Sequence, residues 1–161
     1  MKEVIDINNV SKYFGKFKAL DSVNLRVMRG QKVVICGPSG SGKSTLVRCI
    51  NRLEEHDEGD IKVLGNFLTN DKLCLAAIKS KVSMVFQQFN VWPHLNVLEN
   101  VVRAQMVVAK RSQAEAESKA LKILDEVGLS NKIDEWPDHI SGGQKQRLAI
   151  ARSLLLPSRN M

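Results

Sequence analysis

The run Gly37-Pro38-Ser39-Gly40-Ser41-Gly42-Lys43-Ser44-Thr45 fits the spacing G-x-x-x-x-G-K-[ST], and each required residue type has a task in gripping a phosphate chain. Glycines let the backbone fold back so that successive N–H groups converge on one anion without Cβ clashes. Lys43 supplies a point charge with reach to β- and γ-phosphates, and the Ser44 hydroxyl is a hard-oxygen ligand suited to Mg²⁺. A second constellation stands about a hundred residues on, at Ile140-Ser141-Gly142-Gly143-Gln144. There Ser141 suits a helix N-cap, and Gly142-Gly143 bare backbone N–H groups at a positively polarised helix end. The sequence therefore contains two anion-seeking helix termini, far apart.

The elements that must position these residues follow from hydrophobic spacing. Val33-Val34-Ile35-Cys36 is a short all-apolar run and predicts a buried parallel strand feeding the first glycine loop. After the loop, Leu46, Val47, Ile50 and Leu53 recur at helical spacing. Upstream, Ile5, Ile7 and Val10, then Val23, Leu25 and Val27, alternate as in antiparallel strands. Ser11-Lys12-Tyr13-Phe14-Gly15 reads as a loop between them, carrying the only tyrosine. On residue type alone Tyr13 is open between surface packing and stacking on a base, a contact worth roughly 1–3 kcal/mol.

Residues 61–64 and 81–86 read as further strands, 71–80 as a short helix, and Gln87-Gln88-Phe89-Asn90 as the turn that ends the second strand. Helical patterning then dominates. Asn96 with Glu99 predicts a capping box opening a helix to about residue 109, and Ser112 with Glu115 predicts a second. The latter helix puts Ala116, Ala120, Leu124 and Val127 on one face and ends at Gly128. Beyond Ser141 a last helix carries Leu148, Ile150, Ala151, Leu154 and Leu155 as its apolar positions.

With 161 residues and 43% hydrophobic content the chain can bury one ordinary core. Its net charge of +7 suits phosphate ligands, yet the charges are dispersed and mostly predict a solvated surface. Cys36, Cys49 and Cys74 lack metal-ligand spacing and read as buried thiols in a reducing compartment. His56, His94 and His139 read as surface histidines. No basic-then-apolar leader or membrane-length apolar run is present, so the sequence predicts a cytoplasmic chain that serves a membrane only by docking.

These residues together resemble a known family. From residue 2 or 3 to its last residue the chain is similar to the ATP-binding subunits of ABC transporters, most closely those of bacterial importers of polar amino acids. Ile140-Ser141-Gly142-Gly143-Gln144 followed by Gln146-Arg147 resembles the family signature, with Ile where Leu is commoner. Asn51-Arg52-Leu53-Glu54, Val85-Phe86-Gln87-Gln88-Phe89 and Pro93-His94-Leu95 resemble the amino-acid branch. The resemblance implies an α/β fold: a P-loop NTPase core with N-terminal antiparallel β strands over 1–87, an inserted helical subdomain over 88–140, and the signature with its helix over 141–161.

It also implies roles. Tyr13 stacks on adenine, and Gly37, Pro38, Ser39, Gly40, Ser41, Gly42, Lys43, Ser44 and Thr45 cradle the triphosphate. Gln87 joins Ser44 near Mg²⁺ and contacts the attacking water. Ser141, Gly142, Gly143 and Gln144 close over the γ-phosphate held by a second, head-to-tail subunit. ATP and Mg²⁺ are the implied ligands. Permease subunits on the inner membrane face are the implied partners, with a solute-binding protein behind them.

The sequence ends at Leu156-Pro157-Ser158-Arg159-Asn160-Met161, before the family's strand carrying a second metal-linked Asp and the catalytic Glu. From this departure the expectation is a C-terminally incomplete core, negligible hydrolysis by the 161 residues alone, poor folding and an open sheet edge. One rival reading is a fragment that binds nucleotide without turnover. Another is a DNA-acting ATPase of the same class. It is disfavoured because Gln87 and Ser141 are only 54 positions apart, without sustained heptads or a cysteine cluster, so no nucleic-acid partner is expected.

Overall fold

The computed structural model describes residues 2–69, 78 and 81–156. Its contacts divide the chain into two compact units, Met1–Val82 and Ser83–Met161.

The first unit is built on a four-stranded antiparallel sheet. Strands β1 (Glu3–Phe14), β2 (Phe17–Met28), β3 (Glu58–Val63) and β4 (Asn66–Phe67) lie in the order β2-β1-β3-β4. The alternation in β1 is broken because Asn9 takes a left-handed φ of 50°, and the register with both neighbours shifts there. The extra residue turns both Ile7 and Val10 inward, onto Ile61, Val63 and Leu20. Helix α1 (Lys43–Ile50) covers this face with Leu46, Cys49 and Ile50. Burying the leucine and isoleucine contributes about 2 kcal/mol each.

Several expectations are corrected here. β1 does not stop at a loop over 11–15: it runs through Phe14 and pairs Phe14 with Phe17 around the two-residue turn Gly15-Lys16. The strand persists because buried Lys12, which breaks the hydrophobic pattern, is neutralised by ion pairs to Glu54 at 3.3 Å and Asp57 at 3.4 Å. On α1, Val47 faces outward and Cys49 takes the inner position. Leu53 lies past the helix end, which comes after little more than two turns.

Val33-Val34-Ile35-Cys36 forms no strand; Val34 is 83% exposed and Cys36 is an exposed thiol. A parallel strand needs neighbours on its edges, and among the described residues none pairs with this run. Residues 82–86, expected as a strand, form none either. The helix expected over 71–80 and the thiol of Cys74 lie outside the described residues, apart from helical, buried Ile78.

The second unit is helical. Helices α2 (Val97–Ala109), α3 (Gln113–Glu126) and α4 (Gly142–Leu155) pack Val97, Val101, Ala120, Leu124, Leu129, Ile140, Leu148 and Ala151 into a separate core. Both halves of the Asn96–Glu99 capping box form. The Ser112 box is half-formed: Ser112 accepts the Glu115 N–H, but the Glu115 carboxylate turns to Lys119 at 2.8 Å and Arg111 at 3.5 Å. α3 buries Ile123 with Ala116, Ala120 and Leu124, and Gly128 follows its end at φ 67°. On α4, Ala149 is buried, whereas Leu154 is exposed. Among the described residues no helix is long and apolar enough to cross a membrane.

Candidate functional site

The glycine loop adopts the conformation its residue types require. Gly40 and Gly42 have φ of 79° and 84°, and Gly42 forms the N-cap of α1 with no side-chain hydrogen bond. The first turn of α1 is thus left without a side-chain cap, and its N–H donors stay available to an anion. Lys43 Nζ folds back over the loop, donating to the carbonyls of Gly37 at 2.8 Å and Pro38 at 2.6 Å and to Ser41 Oγ at 3.2 Å. The ammonium therefore lies among the loop atoms and can exchange these contacts for phosphate oxygens. Residues 37–41 and Ser44 are exposed.

Gly42 also fixes the loop against the sheet. A Cβ there would sit inside hard-contact distance of the Ala19 carbonyl oxygen and 3.0 Å from Leu20 Cδ2. Leu20 pairs with Lys12 and Lys18 with Tyr13, so the cradle rests on β2 one ladder step from the tyrosine. Tyr13 is half-buried, with its N–H donated to Asp57 Oδ2 at 2.7 Å and its hydroxyl to Glu58 Oε2 at 3.4 Å. Lys18 Nζ stands 5.5 Å from the ring centroid and is ion-paired with Asp21.

The Tyr13 N–H, and then Lys12, hold the Asp57 carboxyl below its usual range, so it stays ionised to lower pH than a free carboxylate. Burial pushes Lys12 down, but Glu54 and Asp57 outweigh it and raise its pKa overall. His56 is half-buried, contrary to its reading as a surface residue; burial, then Arg52, lowers its pKa. His94 and His139 are exposed.

The second unit holds the other candidate residues. Gln87 is exposed in a turn that runs into two left-handed residues, Phe89 and Asn90. Ser141 caps α4: it accepts the Gln144 N–H at 3.3 Å, and Gln144 Oε1 accepts the Ser141 N–H at 2.7 Å. Ser141, Gly142 and Gly143 are exposed, and a Cβ on either glycine would meet nothing within 4 Å. From the other end of α4, Arg152 donates to the Asn90 carbonyl at 2.9 Å and lies 4.5 Å from the Trp92 ring centroid. The helix that begins at Gly142 is thereby anchored to the turn following Gln87.

Asp57 and Arg152 were not found from the sequence, since their bonds span 44 and 62 residues. Asn100 carried a faint signal, as a polar residue in phase with Val97, Val101 and Ala104. Among the described residues no group of three His, Cys, Asp or Glu side chains could hold a metal ion. Within the glycine loop the exposed Ser44 hydroxyl is a hard-oxygen donor of the kind that suits Mg²⁺.

A glycine loop with an uncapped helix behind it and a lysine folded into it defines a phosphate-loop nucleotide-binding class. The family model described as ABC transporter matches residues 20–160, and the chain belongs to that family. It is 49% identical over 152 residues to the general L-amino acid transport ATP-binding protein AapP of Rhizobium johnstonii. It is 48% identical over 153 residues to the glutamate/aspartate import ATP-binding protein GltL of Escherichia coli. These matches cover 94% and 95% of this chain but 59% and 64% of those proteins' own lengths. The dimeric ATP-binding cassette MJ0796, solved in a post-hydrolysis state with ADP and Pi, superposes with a TM-score of 0.81 at 37% identity. That match covers 94% of this chain and 69% of the cassette.

Proposed function

We propose that the chain supplies the phosphate-gripping and signature-bearing portion of an ATP-binding subunit that energises uptake of polar amino acids by binding and hydrolysing ATP. The observation that carries this reading is the uncapped N-terminus of α1 with the Lys43 ammonium folded into the loop before it. Gly37 through Thr45 hold the triphosphate, Tyr13 stacks on adenine, and Ser44 with Gln87 holds Mg²⁺. When bound, the ion neutralises charge on the phosphates. Lys43 and Gln87 are the residues of this chain assigned to the reacting end of the nucleotide. Residues 1–87 serve as the nucleotide-binding core, 88–140 as the helical subdomain and 141–161 as the signature segment.

Ser141, Gly142, Gly143 and Gln144 meet the γ-phosphate held by a second, head-to-tail subunit; their exposure, and the open space at both glycines, support this. Permease subunits at the inner face of the cell membrane dock on the helical unit. A groove of about 540 Å³, lined by Trp92, Leu95, Val107 and Val108 with Arg103 and Arg152 among its walls, supports that assignment. A solute-binding protein would be an indirect partner, and the transported class follows the relatives' names. Titration with a fluorescent ATP analogue in Mg²⁺ tests the reading. Lys43→Ala should weaken binding at least about tenfold, since it removes a charge-assisted contact to phosphate. Equal affinity of the two proteins would overturn it.

A further inference from the structure

Two successive carboxylates, Asp57 at the end of the connection from α1 and Glu58 at the start of β3, hold Tyr13 at both ends. Asp57 Oδ2 accepts its backbone N–H at 2.7 Å, and Glu58 Oε2 accepts its hydroxyl at 3.4 Å. The backbone bond is the shorter, and its location has a structural cause. The last pair between β1 and β3 is Ser11 with Glu58, so beyond Ser11 that edge of β1 has no strand beside it. The Asp57 carboxylate takes over, while the Asp57 N–H donates back to the Ser11 carbonyl at 2.9 Å. Lys12, 3.4 Å from Asp57 Oδ2 and 3.3 Å from Glu54 Oε1, pairs with the same carboxylate.

This connection emerges from α1, the helix whose first residue is Lys43. Tyr13 is therefore tied to the phosphate cradle along two routes. One runs through Gly42 resting on Ala19 and Leu20 of β2, the strand paired with Tyr13. The other runs along α1 to Asp57 and back to Tyr13. We infer that Asp57 is a positioning residue that sets the tyrosine ring at a fixed place relative to the phosphate loop, and so determines how strongly the base adds to triphosphate binding. The inference rests on the proposed nucleotide function and deepens it.

The test compares Mg·ATP with inorganic tripolyphosphate in the 161-residue chain. Both ligands use the cradle, but only ATP uses Tyr13. Asp57→Ala should weaken ATP about tenfold, within the range of a lost base stack, and leave tripolyphosphate within about twofold. Asp57→Asn keeps an acceptor for the Tyr13 N–H and should restore most of the ATP affinity. In a Tyr13→Ala background Asp57→Ala should have no further effect on ATP. If Asp57→Ala fails to fold, Asp57→Glu carries the same expectation, because it keeps the charge beside Lys12 while displacing the acceptor. Equal loss of both ligands in the single variants, or additive loss with Tyr13→Ala, overturns the inference and leaves the nucleotide function standing. A wild-type chain that binds neither ligand overturns the proposed function, and this inference with it.

Discussion

Gly143 tests whether the second glycine turn was shaped by folding or by a partner. It lies in the first turn of α4 with helical backbone, and a Cβ placed on it meets nothing within 4 Å. Nothing among the described residues therefore requires glycine there. Substituting alanine at a compatible helical position removes conformational freedom from the unfolded chain and stabilises the native state by about 0.4–1 kcal/mol. For Gly143→Ala the expected gain lies in that range, about a few degrees in thermal midpoint. The added methyl projects from an exposed helix end. If that end packs against nucleotide held by another subunit, the methyl must intrude where backbone alone fits, at a cost of about 1–3 kcal/mol. Urea denaturation gives the first quantity, and light scattering of ATP-driven dimers gives the second. Gly143→Ala should give a more stable monomer that dimerises at least about fivefold more weakly with ATP. A destabilised monomer would refute the structural premise, and unchanged dimerisation would refute the role given to the signature.

Gly42→Ala should behave oppositely: its φ of 84° and its collision with the Ala19 carbonyl predict a loss above about 2 kcal/mol, against about 1 kcal/mol for Gly40→Ala, where the space is open. Urea midpoints of the two variants check the ranking. Asn100→Ala removes a buried amide that accepts the Trp92 N–H and donates to the carbonyls of Trp92, Leu95 and Asn96, so denaturation should show a loss of about 2–4 kcal/mol. Burial pushes the Cys49 thiol up to about 11, so at pH 8 it is protonated as well as covered. Alkylation mapped by mass spectrometry should mark exposed Cys36 first and reach Cys49 only in denaturant.

What was legible in the sequence was local. The loop glycines, the Asn96 box, the Ser141 N-cap and the Gly128 stop each depend on atoms within a few residues, and local backbone physics decides them. What was not legible depended on strangers in the sequence. Val33-Val34-Ile35 has the composition of a buried strand, but composition provides no neighbour to bond with, and these residues are exposed. Tyr13 read as a loop residue because buried Lys12 interrupts the pattern. The acids that make the lysine tolerable, Glu54 and Asp57, stand more than forty positions away. Arg152 resembled any basic residue near a helix C-terminus until the Asn90 carbonyl and Trp92 ring were found against it.

The two glycine turns treat their backbone donors in opposite ways. At α1 the N-cap is a glycine with no side chain to offer, so the first-turn N–H groups remain uncommitted and the lysine waits on the loop carbonyls. At α4 the serine cap and Gln144 bind each other's backbone N–H, which closes the terminus and stiffens it. Only the Gly142 and Gly143 N–H groups then lie ahead of the first bond into the Ser141 carbonyl, made by Lys145 at 2.9 Å. An open set of donors can envelop a multiply charged ligand, whereas a closed cap with two bare glycines can only touch one from outside. That asymmetry favours the proposal in which α1 grips a triphosphate and α4 meets one from outside.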